Sequence, residues 1–200
     1  MSRADAPPGR DAAWAVIETA AGAAELAAFC RDLERLYRIN PFLEFKSWRQ
    51  GAADRFTAQW VNHSNRQEVA LEGRVTRVSD LEFRIDFATG LKKSTCFEIR
   101  PGLRGASLTI TDEYGPVAGS VPPEADIDRS LHAWGVALAA YLERDRRWGR
   151  VPFYRACMRR LWLPMSPSAR RIAFLVFVIG LADALLIALA FAIYWLESGH

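Results

Sequence analysis

From Leu43 to Tyr114, apolar and polar residues alternate with a period of two, in runs separated by Gln50-Gly51, Ser64-Asn65, Ser79-Asp80, Thr89-Gly90 and Pro101-Gly102. Successive side chains of an extended chain point to opposite faces, so this periodicity predicts strands bounded by turn residues. Six are expected, at 43–49, 54–63, 67–78, 81–88, 94–100 and 106–114. Trp14 to Ala20 alternates apolar and small residues and predicts one more ahead of them. One side of the expected sheet is apolar and aromatic, through Phe56, Ala58, Trp60, Leu81, Phe83, Ile85, Phe87, Phe97, Ile99, Leu108 and Ile110. The other carries Arg55, Gln59, Glu82, Arg84, Asp86, Thr109 and Thr111. Short connections and one covered, one wet face point to an antiparallel meander.

Elsewhere the period is helical. Gly22 to Asn40 places Leu26, Phe29, Leu33, Leu36 and Tyr37 on one stripe and ends at Asn40-Pro41, because proline disfavours helical geometry in the residue before it. Asp126 to Leu142 repeats Ile127, Leu131, Trp134, Leu138 and Tyr141 at spacings of four, three, four and three. Pro122 and Pro123 introduce this second helix, and Asp126 or Asp128 suits its positive N-terminal end. Its stripe is the expected cover of the apolar sheet face.

Ile172 to Leu196 shows neither period. Only Asp183 is charged in these twenty-five residues. At about 1.5 Å per residue the run reaches roughly 37 Å, enough to cross a hydrocarbon core of about 30 Å with some tilt. Arg170 and Arg171 precede it, and Tyr194 and Trp195 stand where amphipathic rings prefer the headgroup layer. Asp183 costs such a span about 2.5 to 3.5 kcal/mol. Gly180, Ala184 and Ala188 run beside it as small residues every fourth position, the spacing that lets another helix, or a second copy, approach closely.

Charge sharpens this division. The chain of 200 residues has a net charge of +3, yet residues 144–171 hold nine arginines and one acid, Asp145. That basic neck includes Arg155, Arg159, Arg160, Arg170 and Arg171 beside Phe153, Tyr154, Leu161 and Trp162, a mixture suited to anionic lipid rather than nucleic acid. Basic residues near a span stay cytoplasmic, so the expected topology is single-pass with the N-terminal domain in the cytoplasm. The expected organisation is a disordered leader over 1–12, a ligand-binding domain over 13–143, the neck over 144–171, a membrane helix over 172–196 and a short tail over 197–200.

Chemistry-bearing patterns are sparse. Cys30, Cys96 and Cys157 have no metal-ligand spacing with His63, His132 or His200, so neither metal nor cofactor is expected. Candidate acid or base groups are His63, His132, Glu98, Asp112, Glu113 and Tyr114, without a nucleophile triad or phosphate loop.

Strand, helix ending in Arg38-Ile39-Asn40-Pro41, six-stranded meander closing in Thr109-Ile110-Thr111-Asp112-Glu113-Tyr114-Gly115-Pro116, then a long amphipathic helix: this order resembles the START-like superfamily of polyketide cyclase/dehydrase and lipid-transport proteins. The resemblance covers roughly Trp14 to Leu142. It implies an α+β helix-grip fold, with a curved antiparallel sheet of about seven strands wrapped on the long helix around an elongated apolar cavity. The expected lining is Trp48, Phe56, Trp60, Phe83, Phe97, Tyr114, Trp134 and Tyr141. The expected function is membrane-anchored binding or transfer of a lipid, quinone or isoprenoid. A cyclase or aromatase, or an assembly factor recruiting a partner through the span, are the alternatives.

Overall fold

The computed structural model describes residues 12–52, 54–90, 92–114 and 124–198. Seven strands form one antiparallel sheet: β1 (Ala12–Thr19), β2 (Leu43–Gln50), β3 (Arg55–Asn62), β4 (Gln67–Arg77), β5 (Glu82–Phe87), β6 (Lys92–Gly102) and β7 (Gly105–Tyr114). Their order is β1-β7-β6-β5-β4-β3-β2, so six consecutive strands make the meander and the first returns beside the last. Each expected strand is present, because one face of every strand is committed to the core and a slip of one residue would turn that face outward.

The helices are α1 (Ala23–Cys30), α2 (Leu33–Arg38), α3 (Glu124–Trp148), α4 (Tyr154–Cys157), which continues into a π-helical turn (Met158–Trp162), and α5 (Pro167–Ser198). The single helix expected over 22–40 is thus two. Asp32 leaves helical geometry and its carboxylate accepts a hydrogen bond from the Arg35 N–H at 3.2 Å, starting a new helix. Aspartate competes with the backbone for that role and is far better as a cap than inside a helix. The apolar stripe survives the break: Leu26, Phe29, Leu33, Leu36 and Tyr37 are all buried.

Leu131, Trp134, Leu138 and Tyr141 of α3 are buried against the inner sheet face, with Phe56, Ala58, Trp60, Ile85, Phe97, Ile99, Leu108 and Ile110. Gly73 of β4 fits this core because a Cβ there would lie 2.6 Å from the Phe56 ring. Residues 1–11 of the leader, Gly115, Pro116, Pro122, Pro123, Gly199 and His200 lie outside the described residues, as do the side chains of Asp126, Ile127 and Asp128, while Ala12 opens β1.

The chain falls into two compact units that divide between Pro164 and Met165. Within the first, α3 runs through the expected boundary at residue 143 and stops at Gly149, and Met158 and Leu163 pack back on the core. The second is α5. Ser166 caps it, accepting from the Ala169 N–H at 3.2 Å. The apolar side chains of residues 168–196 are exposed, and the helix is long and apolar enough to cross a membrane.

Candidate functional site

A cavity of about 330 Å³ lies between the sheet and α3. Its apolar walls come from Leu43 on β2, Trp60 on β3, Val69 and Leu71 on β4, Phe87 on β5, Tyr114 on β7, and Leu131 and Trp134 on α3. Each strand residue is there because alternation turns it to the sheet's inner face, and each helix residue because it lies on the buried stripe. Tyr37 of α2 closes the wall, its ring 5.1 Å from that of Trp134 and 6.0 Å from that of Trp60. The indole N–H of Trp134 donates to the Leu36 carbonyl at 3.0 Å, which fixes α3 against α2 beside the cavity.

Most polar groups on the lining are engaged locally. Asn40 accepts from the Phe42 N–H at 2.9 Å and shapes the turn into β2. Asn62 accepts from the Ser64 hydroxyl at 2.7 Å, and Glu68 pairs with Lys46.

The exception is a charged pair on the inner face. Asp112 follows Leu108 and Ile110 on the same side of β7 and is only 1% exposed. It accepts from the Thr95 hydroxyl at 2.6 Å and from the Lys92 ammonium. Lys92 gains that position through a β-bulge between Lys92 and Ser94, which pairs it with Tyr114. Strict alternation back from Cys96 and Ser94 would have turned it outward. Tyr37 is buried nearby with its hydroxyl lacking a partner of hydrogen-bonding geometry. Burial pushes its pKa well above the usual phenol range, the Asp112 charge adds to that, and Thr95 acts weakly the other way.

Of the aromatics expected at the cavity, Trp60, Tyr114 and Trp134 line it. Trp48 instead stacks on Phe56 at 4.5 Å and Phe83 on Phe97 at 4.6 Å, while Tyr141 accepts from the Arg35 guanidinium at 3.0 Å. Phe56, Phe97 and Tyr141 are core residues, and Trp48 and Phe83 pack against the core partly buried.

The other candidate acid and base groups are dispersed. His63 is exposed, its Nε2 2.8 Å from Glu44, and His132 is exposed on α3. Glu113 bonds Arg84 and Ser94, and Glu98 pairs with Arg100. Burial pushes the Cys30 thiol up to about 12, so it behaves as a small apolar core residue. Among the described residues no group of His, Cys, Asp and Glu could hold a metal.

Of the basic residues expected at a membrane surface, Arg155 lies 3.6 Å from Asp145, and Arg170 donates from Nε to the Met165 carbonyl at 3.1 Å. Arg159 and Arg160 are exposed on the π-helical turn, and Arg171 is exposed near the start of α5. Gly180, Asp183, Ala184 and Ala188 are exposed along α5.

No family model matches the chain, and no curated protein matches it in sequence. Solved structures do match in fold. A START superfamily protein from Mycobacterium smegmatis superposes with a TM-score of 0.54 at 17% identity, covering 66% of this chain and 97% of that one. The protein XoxI from Bacillus cereus gives 0.51 at 10% identity, covering 66% and 96%. A protein from Deinococcus radiodurans gives 0.50 at 17% identity, covering 69% and 98%. The likeness is one of fold: this chain has the START-like helix-grip architecture.

Proposed function

We propose that the domain binds an apolar small molecule, a lipid, quinone or isoprenoid in class, in the cavity between its sheet and α3, and that α5 anchors it to the membrane in which that ligand dissolves. The observation that carries the reading is the cavity itself, about 330 Å³ with walls of Leu43, Trp60, Val69, Leu71, Leu131 and Trp134. Small-molecule sites are concave and mostly apolar, with a few polar groups that fix orientation. A START-like fold supports ligand binding in such a hydrophobic cavity.

The anchor places the domain beside its ligand reservoir. Arg150, Arg159 and Arg160 share a segment with Trp148, Phe153 and Leu161, all exposed. Phe153 is 86% exposed and held in left-handed geometry at φ 65°. Basic and apolar groups together suit an anionic headgroup layer, and each arginine near such a surface contributes about 1 kcal/mol. The excess of arginine before α5 favours a cytoplasmic domain. Within the bilayer, Asp183 and the small residues Gly180, Ala184 and Ala188 would pair α5 with another helix.

Native mass spectrometry of the detergent-extracted full-length chain tests the reading. The expected result is one apolar small molecule per chain, identified by extraction. A chain that is empty and carries a partner subunit instead would replace ligand binding with assembly through α5.

A further inference from the structure

We infer that the cavity's ligand carries a neutral oxygen, a hydroxyl or a carbonyl, and that Lys92 recognises it while Asp112 holds Lys92 in place. The inference rests on the cavity being the binding site.

Three features of the pair lead there. The bulge between Lys92 and Ser94 brings an ammonium to a face that is otherwise apolar, and bulges re-aim side chains in this way. Asp112 is satisfied by Thr95 and Lys92, so its charge is spent on the lysine. Lys92, by contrast, has three donor protons, bonds only Asp112 among the described residues, lines the cavity and keeps 40% of its side chain open. Its remaining protons are the unspent charged donors of the site, beside the buried hydroxyl of Tyr37.

Charge then selects the kind of acceptor. Lys92 and Asp112 together are neutral, so a ligand ion of either sign would enter apolar walls without a counter-charge. A cationic head would also meet the ammonium directly. A neutral hydroxyl or carbonyl oxygen accepts from Lys92 and adds no charge. The apolar body would then lie along Trp60, Leu131 and Trp134.

The test offers the full-length chain equal concentrations of tetradecanol, methyl myristate, tetradecylamine and tetradecane, and counts bound species by native mass spectrometry. The alcohol and the ester are expected to occupy the protein about tenfold more than the alkane, with the amine the weakest. Lys92→Met alone strands a buried carboxylate, so the informative variant is Lys92→Met with Asp112→Leu, which removes both charges together. That variant is expected to take alcohol and alkane equally.

Equal occupancy of alcohol and alkane in the unaltered chain would overturn the inference while leaving apolar binding intact. So would an amine that binds best, or an alcohol preference that persists in the double variant. If none of the four probes binds, the cavity reading itself falls, and this inference with it.

Discussion

Gly105→Ala is expected to cost the domain about 3 kcal/mol or more, a large part of the stability of a domain this size. Gly105 opens β7 at φ 151°, a backbone geometry that side chains with a Cβ rarely adopt. A Cβ there would also run into the Thr19 carbonyl oxygen and come within 2.8 Å of the Ala20 Cα. Both obstacles are backbone, where β1 pairs Thr19 with Ala106, so no rotamer change relieves them. Gly102, opposite Gly105 in the same hairpin, is the control. A Cβ there would sit 3.6 Å from the nearest atom, an ordinary contact, and Gly102→Ala should cost less than about 1 kcal/mol. Urea unfolding of both variants measures the difference. Equal midpoints would contradict this account of the β6–β7 turn.

Arg35→Met is the second large effect, at about 3 to 5 kcal/mol. The Arg35 guanidinium is buried between α2 and α3, donates to the Tyr141 hydroxyl at 3.0 Å and lies 3.4 Å from Asp145. It also sits 4.7 Å above the Phe29 ring and 5.0 Å above that of Tyr141. Methionine keeps the apolar stem but leaves the Tyr141 hydroxyl buried without a donor and Asp145 with Arg155 alone. Removing both members of a buried pair is cheaper than removing one, so Arg35→Met with Asp145→Leu should recover much of the loss. Denaturant midpoints for the two single variants and the double variant give the coupling. Strictly additive losses would show that Arg35 and Asp145 act independently.

Arg35 also marks a limit of reading this chain locally. It stands beside the stripe of Leu33, Leu36 and Tyr37, where a basic residue is expected in water. It is buried because Tyr141, 106 residues away in sequence, folds over it. The strands, in contrast, were legible because alternation states which face each residue takes, and the order of β2 to β7 followed from short turns, whereas the return of β1 beside β7 did not. Asp112 was legible on the same rule: Leu108, Ile110, Asp112 and Tyr114 share a parity, so a carboxylate on an apolar face was present in the pattern.

Lys92 was hidden, since a bulge adds one residue and inverts the parity that alternation assigns. The break between α1 and α2 carried a signal in Asp32, a good cap in the middle of a helical stripe. What alternation cannot state is which inward aromatics touch each other. Phe83 with Phe97 and Trp48 with Phe56 consume their share of the interior by stacking, and the space left over falls to Trp60, Tyr114 and Trp134.

The measurement that bears most directly on the central claim is ligand occupancy, by native mass spectrometry, in the full-length chain and in its Val69→Trp variant. Val69 lines the cavity on β4 opposite Trp60, so an indole there occupies the ligand's space at a strand position that suits it. The account predicts a stoichiometric apolar molecule in the unaltered chain and an empty, folded variant. A variant that retains the molecule at the same occupancy would place the binding site outside this cavity and contradict the account.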